Sequence, residues 1–264
     1  MCSVQSVLLS VVTVVRNDHA RLRTTVSSLE RFYGDDRFEH IVIDGNSDLG
    51  TTRLLKQKKS VHKNFKYRSE PDSGIYDAMN KGVRLSRGHF ILFLNCGDII
   101  MGSPEEINSW LTPLSFETNH IDIICFHCRV QGSSYGATLS PSVAWPYRMP
   151  TSHQAMVFST KFMRLHYYDT RFRIAADFDL YLKADRMRVI LFSGADCLTA
   201  VEAEGLASAN PVQSYKEYLD VVRENLSGGL KWLALTRISL KAAGVIILKR
   251  TLPSGCVSIL KRLV

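Results

Sequence analysis

Two neighbouring segments decide the fold of this chain: residues 67–82 read YRSEPDSGIYDAMNKG, and residues 87–98 read RGHFILFLNCGD. The first holds a proline-bearing turn followed by a short helical pattern. The second holds an apolar run that stops abruptly on polar residues and a carboxylate. A turn, a helix and a buried strand that ends in polar side chains are typical of a ligand site at the carboxyl edge of an α/β sheet.

The first segment predicts a short helix with one buried face. Pro71 cannot continue a strand, and Asp72 or Ser73 has the side chain to cap the helix that follows. Apolar residues then recur at helical spacing, at Ile75, Met79 and Val83. Gly88 stands where a residue in the left-handed conformation commonly ends a helix. The segment therefore predicts a turn, a helix and a C-terminal cap in that order.

Three predicted strands each end on polar residues. They are Leu9–Val15 followed by Arg16-Asn17-Asp18, Phe38–Ile43 followed by Asp44-Gly45-Asn46-Ser47, and Phe90–Leu94 followed by Asn95-Cys96-Gly97-Asp98. A helix with Leu22, Val26 and Leu29 on its apolar face follows the first strand. Because the carboxyl ends of parallel strands meet at one edge of a sheet, we expect the three polar clusters to lie close together.

Length and composition agree with a globular α/β enzyme. The chain has 264 residues, of which 45% are hydrophobic and 22% are charged, so it can bury a large core and shows no compositional sign of disorder. Residues 1–6 carry no positive charge, and the apolar run that follows is too short to span a bilayer, so we expect no signal peptide. Cys125 and Cys128 form a C-x-x-C pair without a second pair, which favours packing in strands over a metal or redox site.

In this combination and order, the three strand ends resemble the nucleotide-binding half of a family 2 glycosyltransferase with the GT-A fold. The resemblance covers roughly residues 8–205, and within the family it is closest to bacterial exopolysaccharide enzymes of the colanic-acid type. It implies an α/β fold with a Rossmann-like mixed sheet flanked by helices. It also implies a nucleotide-sugar-binding half in residues 1–100 and an acceptor-binding half in residues 101–224. A Rossmann dehydrogenase is disfavoured because no G-x-G-x-x-G follows the first strand.

The resemblance also implies a set of donor-binding residues. Asp44 would bind the nucleobase, the residues around Thr13 to Arg16 would line its pocket, and Asp72 would help to hold the donor. The full set is Thr13, Val15, Arg16, Asn17, Asp44, Asn46, Ser47, Asp72, Gly74, Asp77, Asn80, Asn95, Cys96 and Gly97. For Asp44, an Asx-turn and a helix cap remain an alternative role.

Metal binding is expected at the end of the third strand of this motif. The family has a D-x-D there that binds Mg²⁺ or Mn²⁺ on the donor diphosphate, because hard cations prefer oxygen ligands. This chain has Asn95-Cys96-Gly97-Asp98, which leaves Asp98 as the metal ligand and Asn95 with an amide oxygen. The alternative for Asp98 is a helix cap before Ile99.

Two downstream segments resemble the acceptor side of the family. Ser152-His153-Gln154 precedes an apolar strand, and the resemblance assigns His153 and Gln154 to the acceptor or the diphosphate, whereas an isolated His is as often structural. Ala176-Asp177 stands where the family has E-D, and this makes Asp177 the expected catalytic base in the first turn of a helix. Asp179 competes for that role, but helical spacing puts it about 200° away from Asp177.

The last forty residues differ in character from the rest. Residues 225–264 contain no Asp or Glu, and their cations alternate with apolar residues: Lys231, Arg237, Lys241, Lys249, Arg250, Lys261 and Arg262. This composition predicts a basic amphipathic helical tail attached to the anionic inner face of the plasma membrane. The alternative is a helical pair that packs on the catalytic domain or on a partner subunit. We expect no nucleic-acid partner, because no recognition motif accompanies the charge of +8.

The resemblance, taken together with the basic tail, implies an inverting, hexosyltransferase-type enzyme in the cytoplasm. It would move a sugar from a nucleotide-sugar, with UDP favoured by the resemblance, to a polyprenyl-diphosphate-linked glycan of a bacterial capsule, exopolysaccharide or O-antigen. A non-catalytic binding protein with a degenerate GT-A fold is one alternative, because Asn95 replaces a carboxylate. A nucleotidyltransferase is another, although Val11–Ala20 has no glycine for a phosphate loop.

Overall fold

The computed structural model describes residues 6–132, 138–139, 142, 145–194, 196–202 and 209–251. Within these residues the strands are β1 Leu9–Val15, β2 Phe38–Asp44, β3 Phe65–Ser69, β4 Phe90–Phe93, β5 Ile99–Ile100, β6 Ile123–Cys125, β7 His127–Val130, β8 Thr138–Leu139, β9 Met156–Ser159, β10 Val189–Leu191 and β11 Cys197–Val201. The α-helices are α1 His19–Ser28, α2 Leu49–Val61, α3 Ile75–Leu85, α4 Pro104–Ser115, α5 Thr160–Leu165, α6 Ala176–Lys183, α7 Pro211–Asn225 and α8 Gly228–Thr251.

A mixed sheet of seven described strands forms the centre, in the order β10-β6-β9-β4-β1-β2-β3. Strands β1 to β4 run parallel to one another, and β9 runs antiparallel to both β4 and β6. The chain winds from β1 to β2 and β3 on one side, then crosses to β4 on the other side of β1. The carboxyl ends of β1 and β4 are therefore a topological switch point, where open α/β sheets bind ligands.

The core fills both faces of this sheet. Alternate residues of the strands point to opposite faces, so Val11, Val42 and Leu92 pack with Leu22 and Leu55, whereas Val12, Ile43 and Phe93 pack with Met79 and Phe178. The predicted apolar face of α1 is confirmed, since Leu22, Val26 and Leu29 are at most 1% exposed. Each such buried side chain contributes about 1.5–3 kcal/mol relative to an exposed one.

A second sheet, of four described strands, joins β5, which follows β4 in the chain, to strands from later in the chain. Its order is β5-β11-β7-β8, and β5 pairs antiparallel with β11. Asp98 directly precedes β5 and Glu202 directly follows β11, so this pairing brings them together. The alternative of a helix cap at Asp98 is wrong, because the residue leads into a strand rather than a helix.

Both predicted caps of α3 are corrected by the structure. The N-cap is Gly74, with φ of 138°, and Asp72 instead accepts a hydrogen bond from the Gly74 N–H at 3.0 Å. The helix ends at Ser86 rather than at Gly88, which is not left-handed. Gly88 is required by a close approach, since a Cβ there would lie 2.7 Å from the backbone nitrogen of Ser10.

The remaining elements bear on two further predictions, one for the C-x-x-C pair and one for the C-terminal helix. Cys125 and Cys128 are fully buried in β6 and β7, which confirms packing in strands. Helix α8 lies on the folded body, with Ala234, Ile238 and Ala242 as its buried residues. Among the described residues, no helix combines the length and the apolar character needed to cross a membrane.

Candidate functional site

A cleft of about 640 Å³ opens at the carboxyl ends of β1 and β4. The ends of β1 and β11, the loop after β4, the 3-10 turn His153–Ala155 and the start of α6 surround it. Its polar lining consists of Arg16, Asp18, Arg21, Tyr76, Asn95, Cys96, Asp98, Ser152, His153, Gln154, Asp177 and Glu202. Residues that are far apart in sequence thus meet at the predicted edge of the sheet.

Asp44 lies fully buried at the end of β2, where neighbouring loops hold its carboxylate. Both of its oxygens accept from the Ser47 N–H, at 3.2 and 3.3 Å, and the Ser69 hydroxyl donates to Oδ2 at 2.6 Å. The alternative role as a helix cap falls to Asp48, whose carboxylate accepts from the Thr51 N–H at 3.0 Å. Asp44 therefore fixes the turn after β2 in one conformation.

The loops after β1 and β2 are joined by short hydrogen bonds. Asn17 and Asn46 have φ of 53° and 62°, a left-handed conformation that Asn tolerates better than most residues. The Asn17 N–H donates to the Ser47 hydroxyl at 2.7 Å, and Asn17 Oδ1 accepts from the Asp48 N–H at 2.9 Å. Asn17, Asn46 and Ser47 therefore shape the rim beside the cleft.

Asp72 and Arg16 pack against Gly45, at the start of the loop after β2. A Cβ on Gly45 would collide with Asp72 Oδ2 and would lie 3.3 Å from Arg16 Cδ. Glycine is required here because two polar side chains from neighbouring strand ends approach the backbone. The Asp72 carboxylate and the Arg16 side chain thus both lie against the start of the loop after β2.

Asp98 lies on the floor of the cleft and is 3% exposed. Its Oδ2 accepts from Gln154 Nε2 at 3.0 Å, and its Oδ1 accepts from the Glu202 N–H at 3.1 Å. Burial raises the pKa of Asp98 above its ordinary value, and these two hydrogen bonds oppose that rise. Because burial disfavours the charged form of this carboxylate, a nearby cation would stabilise that charged form.

The loop that contains Gly97 and Asp98 is held in place by contacts with neighbouring elements. Gly97 has φ of 94°, and a Cβ there would collide with the Glu202 carboxylate, which forms an ion pair with Arg21. The Gly97 N–H donates to the Thr25 hydroxyl at 2.9 Å. Cys96 Sγ donates to the Val14 carbonyl at 3.2 Å, and burial raises the pKa of this thiol far above its ordinary value. Cys96 is therefore a neutral packing residue within the lining of the cleft.

Arg21 and Glu202 are cleft residues that the sequence reasoning missed. They are 181 positions apart, and Arg21 Nε donates to Glu202 Oε1 at 3.0 Å. Glu202 is the polar residue that directly follows β11, so a search for polar residues at strand ends would have found it. No comparable sequence signal marked Arg21, which lies on the first turn of α1.

Asn95, His153 and Asp177 form a chain of polar contacts across the cleft. Asn95 Nδ2 lies 3.2 Å from His153 Nε2, and His153 Nδ1 lies 3.4 Å from Asp177 Oδ2. A carboxylate only accepts, so a neutral imidazole with its proton on Nδ1 satisfies this arrangement and accepts from Asn95 at Nε2. The chain orients His153 and Asp177 relative to the loop after β4.

The two candidate bases on α6 have different environments. Asp177 lines the cleft, and its side chain is 13% exposed. Asp179 is 2% exposed and binds Lys183 Nζ at 2.6 Å and Asn225 Nδ2 at 2.8 Å. Asp179 is therefore engaged in holding α6 to α7, whereas Asp177 faces the cleft.

Ten residues of the predicted donor set are absent from the lining of this cleft: Thr13, Asn17, Asp44, Asn46, Ser47, Asp72, Gly74, Asp77, Asn80 and Gly97. Thr13 is fully buried and its hydroxyl contacts His40 Nε2 at 3.0 Å, where burial lowers the pKa of His40 to about 3. Asn80 uses both amide atoms on the backbone of Tyr168, at 2.8 and 2.9 Å. Gly74 and Asp77 line an adjoining pocket instead. Thr13 and Asn80 are thus structural residues, which corrects their assignment to the donor.

The residues around Asp98 fit a divalent cation whose other ligands come from a bound diphosphate. The Asn95 Oδ1 atom is buried without a hydrogen-bond partner, and it belongs to the same loop as the buried Asp98 carboxylate. No group of three or more His, Cys, Asp or Glu side chains suited to a metal occurs among the described residues. Among the described residues, the Asp98 carboxylate and the Asn95 amide oxygen are therefore candidate ligands, and a hard cation here would take its remaining oxygens from a phosphate.

Comparison with known proteins agrees with this geometry. The family model described as glycosyl transferase family 2 matches residues 10–175. An uncharacterized glycosyltransferase of Mycobacterium tuberculosis is 33% identical over 186 residues, covering 66% of this chain and 68% of the relative. The putative glycosyltransferase EpsH of Bacillus subtilis is 26% identical over 145 residues, covering 54% of this chain and 40% of that protein.

Solved structures confirm the GT-A fold. Staphylococcus aureus TarS 1–349 in complex with UDP superposes with a TM-score of 0.65 at 17% identity, covering 88% of this chain and 70% of that chain. The mannosyltransferase PcManGT of Pyrobaculum calidifontis, in complex with GDP-Man and Mn²⁺, superposes with a TM-score of 0.61 at 12% identity, covering 96% of this chain and 78% of that chain. Since the family model spans well over half of the sequence, the chain belongs to glycosyl transferase family 2 and is a glycosyltransferase.

Proposed function

We propose that this glycosyltransferase moves a sugar, with inversion, from a nucleotide-sugar to a hydroxyl of a polyprenyl-diphosphate-linked glycan during assembly of a bacterial capsule, exopolysaccharide or O-antigen. The observation that carries the proposal is the meeting of Asp98 and Asp177 in one cleft at the switch point of the sheet. One carboxylate is suited to a cation on a diphosphate, and the other is suited to take a proton from an acceptor.

The donor is proposed to lie along the carboxyl ends of β1, β2 and β4. Asp44, Asp72 and Arg16 offer polar groups at the outer part of this edge, and Asn95 and Asp98 offer oxygens at the inner part. Two neighbours with the same fold support a nucleotide-sugar, since TarS was solved with UDP-GlcNAc and PcManGT with GDP-Man. UDP is the nucleotide that we favour.

The chemistry assigned to this chain is general base catalysis by Asp177. Its carboxylate takes the proton of the acceptor hydroxyl as that oxygen attacks the sugar carbon from the face opposite the leaving nucleotide. His153 Nδ1 lies 3.4 Å from Asp177 Oδ2, and this polar contact is proposed to help position the carboxylate. Asp98 and Asn95 would hold Mn²⁺ or Mg²⁺, which when bound neutralises charge on the leaving diphosphate.

Donor binding and acceptor binding are proposed to belong to consecutive halves of the chain. Residues 1–100 are proposed as the donor-binding half and residues 101–224 as the acceptor-binding half of one catalytic domain. Gln154 links the two, because it comes from the acceptor half and donates to Asp98 of the donor half at 3.0 Å. Through this contact, Gln154 is proposed to couple donor binding to acceptor binding.

Attachment to the inner face of the plasma membrane is proposed for the outer side of α8. Opposite its buried residues, the helix exposes Trp232, Leu233 and Leu240, which are 71%, 48% and 69% exposed. Lys231 directly precedes Trp232, Arg237 packs over the Tyr147 ring at 4.5 Å, and residues 225–264 contain no acidic residue. An exposed tryptophan beside a cation suits an anionic lipid surface.

Vesicle flotation tests this attachment. We expect the wild type to float with vesicles of phosphatidylethanolamine and phosphatidylglycerol, and the Trp232→Ser/Leu240→Ser variant to remain at the bottom. The matched control is Phe116→Ser/Leu165→Ser, which removes two residues exposed by 86% and 75% elsewhere and should float. Flotation of the Trp232→Ser/Leu240→Ser variant at the wild-type level would contradict the proposal.

The products released from defined substrates test the function itself. The protein is incubated with UDP-, GDP- and dTDP-sugars, Mn²⁺ and a bacterial lipid extract. We expect release of one nucleoside diphosphate, together with a lipid of higher mass. A nucleotidyltransferase would instead release pyrophosphate from a nucleoside triphosphate and a sugar 1-phosphate. A folded protein that releases neither product would be a non-catalytic member of the fold.

A further inference from the structure

A second pocket, of about 370 Å³, adjoins the cleft. Ile75, Tyr76 and Ile174 line both spaces, so these three residues form a partition between them. The Tyr76 hydroxyl donates to the Ile174 carbonyl at 2.7 Å, which fixes the partition by joining α3 to the segment before α6. The volume lies within the range of about 300–1,000 Å³ of small-molecule sites.

The lining of this second pocket combines apolar walls with a few separated polar groups. Ile75, Tyr76 and Phe172 supply the apolar surface, and Asp77 and Gln213 stand among the polar groups of the lining. Sugar rings have apolar C–H faces that pack on aromatic and aliphatic side chains, and hydroxyls that both donate and accept. Asp77 also accepts from the Ser73 N–H at 3.1 Å, and Gln213 Nε2 donates to Glu217 at 2.8 Å, so each group is held in place while other lone pairs remain for a sugar.

Arg173 adds an available cation to the pocket. Its side chain lines the space and is exposed, and within the described residues no carboxylate lies within ion-pair distance of its guanidinium. The nearby Glu217 is directed elsewhere, because it accepts from the backbone N–H groups of Ile174 and Ala175 at 2.8 and 3.0 Å. The five N–H donors of Arg173 therefore remain available for hydroxyl or ring oxygens.

The position of Asp177 connects the pocket to the reaction. Burial raises the pKa of Tyr76 well above its ordinary value, and the negative charge of Asp177 adds to this rise. Asp177 and Tyr76 both line the cleft, and Tyr76 also lines the second pocket. The layer of side chains that includes Tyr76 therefore separates the second pocket from the cleft that holds the proposed base.

From this geometry we propose that the second pocket binds the terminal sugar of the acceptor glycan. The proposal rests on the proposed function, because it takes the cleft as the donor site and Asp177 as the base. It reassigns Gly74 and Asp77 from the donor to the acceptor. The pocket holds the sugar ring between Tyr76 and Phe172, and Arg173, Gln213 and Asp77 select among hydroxyl arrangements.

Saturation-transfer NMR with octyl glycosides of glucose, galactose, mannose, N-acetylglucosamine and rhamnose tests the proposal. The protein is first saturated with the nucleotide that it binds, so the cleft is occupied. We expect at least one glycoside to bind under these conditions. Thr170→Trp and Gln213→Trp fill the pocket from two sides and should reduce the signal at least tenfold. Val212→Trp, at an exposed neighbouring position outside the lining, should leave the signal unchanged.

The outcomes separate this proposal from the proposed function. Binding of no glycoside, displacement of the glycoside by nucleotide, or full binding by both pocket-filling variants would each overturn the acceptor assignment. Nucleotide affinity of the same samples tests the donor site independently. If no nucleotide binds to the folded wild type, the proposed function fails first, and glycoside binding then reports only whether the pocket takes a sugar.

Discussion

The proposed donor edge and the proposed acceptor side of the site differ in how tightly their carboxylates are held. Asp44, at the proposed donor edge, is fully buried and accepts from the Ser47 N–H and the Ser69 hydroxyl. Asp177, on the acceptor side, accepts from the N–H of the next residue at 2.8 Å and has His153 Nδ1 at 3.4 Å. A recognition site gains from fixed partners, whereas a base needs free lone pairs for the proton that it takes. The difference is the one expected if the Asp44 edge binds the donor and Asp177 acts as the base, as proposed.

The largest effect is expected on the proposed acceptor side, from Asp177→Asn. The amide keeps the shape of the side chain and cannot take a proton, so we expect kcat to fall about 10³-fold. The affinity for nucleotide should stay at the wild-type level, because Asp177 lies outside the proposed donor edge. Steady-state transfer rates and calorimetry on the same sample measure both quantities. Wild-type turnover by Asp177→Asn would show that Asp177 is not the catalytic base.

The next largest effect is expected from Asp98→Asn, on the floor of the cleft. Removing the charged cation ligand should weaken nucleotide binding in Mn²⁺ by about 10–100-fold. In the presence of a chelator, the variant and the wild type should bind nucleotide equally weakly. Titration in both buffers measures this difference. Equal affinities of the two proteins in Mn²⁺ would remove Asp98 from the metal site.

A smaller effect is expected from changes at His153, which positions Asp177. His153→Leu removes the contacts to Asn95 and Asp177, and a misplaced base costs about 10²-fold in kcat. His153→Gln should recover most of this loss, because its amide both accepts from Asn95 and donates to Asp177. The KM for the donor should change little in either variant. Equal rates for the Leu and Gln variants would show that His153 has only a packing role.

The smallest effect is expected from the ion pair between Arg21 and Glu202. Both side chains are more than a third exposed, and such pairs contribute about 0.2–1 kcal/mol. Arg21→Gln should therefore change the free energy of unfolding by no more than this, as measured by urea denaturation. It should leave Asp98 in place, because the contact to Asp98 comes from the Glu202 backbone. A loss of nucleotide binding in Arg21→Gln would instead place Arg21 in the donor site.

Sequence reasoning located the strand ends because polar residues interrupt apolar strands there. The bounds of β1 and the first turn of α6 follow the prediction, and Asp98 and Asp177 meet in the cleft as the motifs imply. Thr13 failed because it lies two residues before the end of β1, where its side chain is buried against His40 instead of reaching the sheet edge. Asn80 failed because both of its amide atoms bind the backbone of Tyr168, a contact across 88 residues.

Other features required contacts that a single sequence does not display. Gly88 was read as a local helix cap, yet its need for glycine arises from Ser10, 78 residues away. Glu202 reaches Asp98 only because β5 pairs with β11. The division between Asp177 and Asp179 was predicted from helical spacing, but the reason that Asp179 is engaged, its bonds to Lys183 and Asn225, emerged from the packing of α6 on α7.

The most direct test of the central claim is calorimetric titration of the wild-type protein with UDP, GDP and dTDP, each in Mn²⁺ and again with a chelator. The account predicts that one nucleotide binds, and that its affinity falls when the metal is removed. That result would support a diphosphate site between Asp44 and Asp98. If a demonstrably folded protein binds none of the three nucleotides in Mn²⁺, the carboxyl edge of β1, β2 and β4 is not a donor site and the account is contradicted.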